Sequence, residues 1–271
     1  MRVPEQGAVV SPTTQDPGYE APLARAGLAS PRARTWFAVN AVVLWATLTT
    51  DAVAILIDPP SMIAADPGDF GYGRAEGAAG VPSTLGDLAS YFTTWSLLVA
   101  AVVTTLLAID PARDGRVLRA ARLASVLMLT VTVVATAIAL PVWLSWGGVL
   151  AGWQVVLQVL RHAAAPLLTL VVWVVVGPRG WTDRSTTLWS LALPLGWIAW
   201  TLGRGAVVHA YPYDPVNVVA LGYGPVLLNA VLAVLAGAVL LVLLVRLDRW
   251  LGRRADRCVA APPQDARSAA P

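Results

Sequence analysis

The stretch "VLQVLRHAAAPLLTLVVW", residues 156–173, decides how this chain is read. It is almost wholly apolar, and about 20 such residues in a helix cross the hydrocarbon core of a bilayer. Yet Arg161 and His162 stand side by side within it. A charged group at that depth costs at least about 3 kcal/mol. The pair therefore requires a partner, a polar cavity or a route to the interface.

Composition extends the membrane reading to the whole chain. Hydrophobic residues make up 57 % and charged residues 13 %, with mean hydropathy +0.65. Soluble domains carry roughly 25 % charged residues, so the chain reads as an integral membrane protein. All 19 basic residues are arginine. With the heavy use of Ala, Val, Leu and Gly, this points to a GC-rich bacterial genome and hence to a bacterial cell membrane, crossed several times. Cys258 is the sole cysteine, which excludes an internal disulfide and a thiolate metal site. No metal or cofactor is expected. The expected partners are membrane lipids or a lipid-like substrate, not nucleic acid.

Six apolar runs qualify as spans, at roughly 35–57, 90–109, 121–142, 155–176, 187–204 and 221–245. The fold class expected is an all-α membrane protein, a bundle of six transmembrane helices. Residues 1–34 read as a disordered segment without the apolar core of a signal peptide. Residues 246–271 read as a basic stretch followed by a disordered tail. Arginine excess marks the cytoplasmic side. Arg2, Arg25, Arg32 and Arg34 precede the first span, Arg113, Arg116, Arg119 and Arg122 fill the second connection, and Arg179 and Arg184 the fourth. Arg246, Arg249, Arg253, Arg254 and Arg257 follow the last. Both termini are thus expected in the cytoplasm. The first external loop, roughly 58–89, holds Asp58, Asp66, Asp69, Glu76 and Asp87. Its "GDFGYGRAEGAAG" (68–80) lacks the Lys and Ser/Thr of a phosphate loop and reads as a flexible connection. Most of the 12 tryptophans lie near span ends, as an interfacial belt requires.

Polar residues recur at helical spacing. Gln154, Gln158, His162, Pro166 and Thr169 share one face of span four. Arg161 is turned about 100° from that face, and snorkelling would carry its head to the outer interface. Asn40, Thr47 and Asp51 share a face of span one, and Thr93, Ser96 and Thr104 a face of span two. Span five ends in Arg204, and the next loop adds His209, Tyr211, Tyr213 and Asp214. The ionisable members sit at similar depths toward the outside. They predict a pocket in the outer half of the bilayer, above more purely apolar cytoplasmic halves. For each Thr and Ser the plainer role is a bond to a carbonyl one turn back, or helix-to-helix glue.

Three motifs, "SYFTTWSLLVA" (90–100), "HAAAPLL" (162–168) and "GWIAWTLGRGAVVHAYPYDP" (196–215), occur in an order and spacing that resemble a known family. It is the six-helix membrane family that includes the androgen-induced and androgen-dependent, TFPI-regulating, membrane hydrolases of animals, with a bacterial branch in actinobacteria. The resemblance covers nearly the whole bundle. It implies a Thr/His hydrolase of fatty-acid esters of hydroxy fatty acids, with Thr93 and His162 as the catalytic residues. Asp51, Ser96, Gln158, Arg161, Arg204, Tyr211, Tyr213 and Asp214 are then candidates to line or support the pocket. Asp51 would orient His162, and Arg161, Arg204 or Tyr211 would stabilise the oxyanion. The chain departs from the family pattern in placing Pro166 four residues after the histidine rather than five, and in having Leu97 where bacterial relatives have Asn. The alternative reading is a small transporter or proton relay built on Asp51 and His162.

Overall fold

The computed structural model describes residues 31–57, 68–70, 81–145 and 152–260. The expected N-terminal segment up to residue 30, the tail from 261 and most of the first external loop lie outside the described residues. All regular elements described are helical. Six stretches are long and apolar enough to cross a membrane: Pro31–Ala54, Phe92–Ile109, Arg116–Ala139, Gly152–Val175, Arg184–Val208 and Tyr223–Arg257. Six crossings return the chain to the face it started from. That face carries Pro31 and Ala260 and is called the terminal face below; the other is the far face.

Span one is α1 (Pro31–Ile57). A short helix, α2 (Val81–Leu88), follows within the stretch expected to be a loop. Span two is α3 (Phe92–Ile109) and span three is α4 (Arg116–Ser145). Span four is composite: α5 (Gly152–Val159), a π turn (Leu160–Ala164) and α6 (Ala165–Val175). Pro166 explains the break. It has no N–H to give the His162 carbonyl four residues back, and its ring crowds that carbonyl. The backbone widens instead, and the Ala165 N–H bonds the Leu160 carbonyl five residues back.

Span five breaks in the same way. α7 (Arg184–Trp189) and α8 (Ala192–Val208) meet at Ser190–Leu191, where Pro194 denies the Ser190 carbonyl its donor. After a short 3₁₀ turn (Asp214–Val216) and α9 (Val218–Leu221), α10 (Tyr223–Ala260) forms span six. It continues as helix through the basic segment that the sequence reading detached from the bundle at residue 246.

Packing is uneven along the membrane normal. One apolar cluster joins Leu123, Val126, Leu127 and Trp173 to Leu241, Leu244 and Val245. Another joins Ala33 and Phe37 to Val103, Leu107, Leu118 and Val172. Both lie toward the terminal face. Mid-bundle, Leu44, Leu97, Ala100, Ala101, Leu129 and Ala165 close together. In the far half, by contrast, α5 has no buried residue. Leu227, Leu228, Val231, Leu232 and Leu235 of α10 are exposed, as residues facing lipid would be.

Candidate functional site

The π turn settles where the Arg161–His162 pair goes. Arg161 Nη1 donates to Asp51 Oδ1 at 2.8 Å and to Oδ2 at 3.1 Å, and Arg161 Nε donates to Gln158 Oε1 at 3.0 Å. The expected snorkelling to the interface is therefore corrected. Arg161 turns inward to the carboxylate of α1, because an ion pair answers the charge locally and leaves neither group to be solvated by hydrocarbon. The same bonds add to the role expected of Asp51: both its oxygens are engaged by Arg161. His162 Nδ1 lies 3.2 Å from the Gln158 carbonyl, and its side chain is half-buried.

Thr93 and Tyr213 form the second part of the site. Thr93 is buried in the first turn of α3. The preceding residue in the capping position, Tyr91, makes no side-chain cap. Tyr213 takes that place from a distant part of the chain, its hydroxyl accepting the Phe92 N–H at 3.2 Å and bonding the backbone and side chain of Thr93. Helix N-termini present unpaired N–H groups, so a phenol oxygen is well matched there. The hydroxyl end is enclosed although the residue as a whole keeps some exposure. Burial pushes the Tyr213 hydroxyl above its ordinary pKa, while bonds from Thr93 and Phe92 and the charge of Arg161 act in the opposite direction. α3 also packs against the π turn, so Thr93, Tyr213, Arg161 and His162 belong to one region of the far half.

A cap of aromatic and polar contacts covers this region from the far face. Tyr91 and Tyr213 meet edge to face, as do Phe92 and Trp197. Trp197 Nε1 donates to the Ser90 carbonyl at 2.9 Å, and Trp200 Nε1 to Ser90 Oγ at 3.2 Å. Arg204, a proposed oxyanion donor, pairs with Asp87 of α2 at 2.8 Å and lies over the Phe70 ring. Tyr211 is buried against Gly205, where any Cβ would overlap its ring. The expectation of a flexible first external loop is corrected at Gly68–Phe70. The Tyr211 N–H donates to the Gly68 carbonyl at 2.7 Å, Asn217 Nδ2 donates to Asp69 Oδ1 at 2.9 Å, and Phe70 is buried against Tyr91. Gly68 has φ +96° and sits against Asn217, which leaves no room for a side chain. His209 is exposed and ends α8 at φ +53°. Asp214 is exposed and opens the 3₁₀ turn.

Several polar residues take the plainer role. Ser96 Oγ donates to the Thr93 carbonyl at 2.8 Å, and Thr47 Oγ1 to the Val43 carbonyl at 2.8 Å. The expectation that the halves of the spans opposite the pocket are more purely apolar is also corrected. Toward the terminal face, Asn40, Thr104, Ser125, Thr169 and Arg122 line, together with apolar side chains such as Phe37, Leu107 and Trp173, a small cavity of about 20 Å³. Arg122 is held there because its Nη1 donates to the Pro178 carbonyl at 3.0 Å and its guanidinium lies over Trp181. Asp248, fully buried, accepts from Thr182 Oγ1 at 3.0 Å and lies 3.8 Å from Arg179. Sequence reasoning places Arg122 and Arg179 in cytoplasmic connections and does not single out Asp248. The available signal was an acid, Asp248, standing alone among Arg246, Arg249, Arg253 and Arg254.

No family model, curated protein or solved structure matches the chain.

Proposed function

We propose that the chain is a multi-pass protein of a bacterial plasma membrane, with both termini cytoplasmic, that hydrolyses lipid esters at Thr93 and His162. The observation that carries this reading is the bonding of Thr93 to Tyr213 at the start of α3, in the same far-half region as the π turn of His162. A buried hydroxyl at a helix N-terminus has N–H dipoles beside it, and such dipoles favour negative charge. In the proposed reaction His162 takes the Thr93 proton as Thr93 Oγ1 attacks the ester carbonyl. Tyr213 supplies the oxyanion donor: its oxygen accepts from Phe92, and its O–H turns from Thr93 to the substrate oxyanion as the Thr93 proton passes to His162. The alcohol leaves with a proton from His162, and water then releases the acid by the reverse sequence. The sparse far-half packing of α5 supports access from the lipid side.

The second reading, a transporter or proton relay, is favoured by one observation, the polar side chains of Asn40, Thr104, Arg122, Ser125 and Thr169 around a cavity below the mid-bundle. Against it stands the apolar layer of Leu44, Leu97, Leu129 and Ala165 between that cavity and Asp51. The deciding experiment is turnover of a panel of fatty-acid esters by detergent-purified protein, together with fluorophosphonate labelling. Turnover that needs Thr93 supports the hydrolase. Absence of both signals in folded protein, with proton flux in liposomes, replaces it with the relay.

A further inference from the structure

α10 does not end at the membrane. Residues 225–245 are almost wholly apolar and measure about 31 Å at 1.5 Å per residue, which matches a hydrocarbon core of about 30 Å. The helix nevertheless runs on to Ala260. Arg246, Arg249, Arg253, Arg254 and Arg257 all lie on this extension and all are exposed. Arginine excess sets the orientation of a span by its amount. How the charge is arranged around the helix is not dictated by orientation.

The arrangement follows from a turn of about 100° per residue. Leu241, Leu244 and Val245, buried with Asp248, fall within about 60° of it around the helix axis. Arg246, Arg249, Arg253, Arg257 and Trp250 fall between about 100° and 200° from it. One side of α10 is thus committed to the bundle, and another is a stripe of arginines with a tryptophan at its edge. Arg254, just outside the stripe, stacks over the Trp250 ring at 4.1 Å. The rotation of the helix is fixed from within. Thr182 Oγ1 donates to Asp248 at 3.0 Å, Arg249 Nη2 donates to the Thr182 carbonyl at 3.3 Å, and Gly252 lies against Arg179. Asp248 is therefore turned away from the stripe and does not neutralise it. Asp256 stands at the edge of the stripe, and among the described residues no carboxylate comes within ion-pair distance of these arginines.

We infer that the stripe is a binding surface for anionic phospholipids, with the arginines on the headgroups. Arg246 and Arg249 lie within about 6 Å of the end of the apolar run, and the headgroup layer adds about 5–8 Å to each side of the core. Arg253 stands about 12 Å beyond the core, within a Debye length of about 8 Å of that layer. Trp250 lies at the depth where amphipathic rings gather. Guanidinium groups pair with phosphate oxygens through two parallel N–H groups, and only an anionic headgroup brings net charge to match. The same sector continues into the membrane as the exposed Leu235, Val239 and Val242, so headgroup and acyl chain find complementary surface on one face. This inference is independent of the hydrolase reading, because the stripe stands on the terminal face, away from Thr93.

The test is native mass spectrometry of the full chain, released from micelles holding equal amounts of phosphatidylglycerol and phosphatidylcholine. Wild type should retain phosphatidylglycerol in preference, by about fivefold for each arginine that reaches a headgroup. Arg246→Gln, Arg253→Gln and Arg257→Gln combined should remove most of that preference; Arg249 stays in place because it bonds Thr182. Arg113→Gln, Arg116→Gln and Arg184→Gln combined remove the same charge from the same face and should keep it. Equal loss in the two triple variants makes the attraction diffuse and overturns the stripe. Salt at about 1 M, where the Debye length falls to about 3 Å, should weaken the preference of wild type. A preference indifferent to salt overturns its electrostatic basis, with no variant needed. Inorganic phosphate at the concentration of the lipid should not compete. Competition by it makes the stripe an ion site, and binding of polyglutamate without any lipid preference makes the partner a soluble acidic chain; either result overturns the inference.

Discussion

Arg161 Nη1 reaches both carboxylate oxygens of Asp51, at 2.8 and 3.1 Å, across 110 residues of chain. The charge that interrupts span four is thus answered by the one carboxylate of span one. Removing a single member of a buried pair leaves an uncompensated charge and costs about 3–5 kcal/mol. Both side chains keep some exposure, 22 % for Arg161 and 10 % for Asp51, so the lower end applies. Asp51→Asn and Arg161→Gln should each lower the melting temperature clearly, and the double variant should recover part of the loss. Equal and additive losses would show that the two side chains act separately.

The cap over the far face makes a steric prediction. Gly205 lies under the Tyr211 ring with no space for a Cβ. Gly205→Ala must push Tyr211 outward, and overpacking of this kind costs typically about 1–3 kcal/mol. Tyr211 holds Gly68 through its N–H, so protease sensitivity near residues 68–70 should rise in the variant. Gly203→Ala, two residues away with open space around it, should leave both readouts unchanged.

Tyr213 predicts behaviour in alkali. Burial raises its pKa above the ordinary value of 10.0, so the folded state holds the proton more tightly than the unfolded chain does. The stability this contributes is fully present below pH 10 and is lost as pH rises through the folded value. Tyrosine absorbance titration of folded protein should lose a late-titrating component in Tyr213→Phe, and that variant should lose less stability between neutral and strongly alkaline pH than wild type. An unchanged alkaline profile would remove Tyr213 from the enclosed cluster.

The arginine asymmetry predicts topology. Reporter fusions placed after Asp114 and after Asp183 should read cytoplasmic, and a fusion within 66–80 should read external. Consistently inverted signals would reverse the assignment of the terminal face to the cytoplasm.

These residues also show what a linear reading reaches. Six spans follow from hydropathy because the bilayer demands length and apolarity from each segment in isolation. The stripe through Gln158 and His162 follows from helical spacing. The destination of Arg161 does not, because spacing from an ideal helix misses the π turn that Pro166 induces, and because its partner lies 110 residues away. The pairing of Arg204 with Asp87 is hidden for the same reason. It depends on α2, a helix of eight residues with Pro82 and Gly86 inside it, which local propensity assigns to a loop. The sequence neighbours of Arg122 assign it to a connection and nothing beside Asp248 marks it out, whereas the burial of both is decided by Trp181 and Thr182 from the fourth connection.

The catalytic prediction rests on Thr93 and His162 acting as one unit. Thr93→Ala and His162→Ala should each abolish ester hydrolysis, and the double variant should be no worse than either, since effects within one catalytic unit are not additive. Thr93→Ser keeps the hydroxyl and should retain part of the rate. Tyr213→Phe removes the proposed oxyanion donor while preserving the ring packing on Tyr91 and Trp197. It should lower kcat by about 10²–10³-fold, the loss typical of one such donor, with a smaller change in KM. Thr94→Ala is the control, turned about 100° from Thr93. Labelling by a fluorophosphonate should disappear in Thr93→Ala and persist in Thr94→Ala. Labelling that survives Thr93→Ala but is lost in Ser96→Ala would move the nucleophile one turn along α3, to a hydroxyl that now donates to the Thr93 carbonyl.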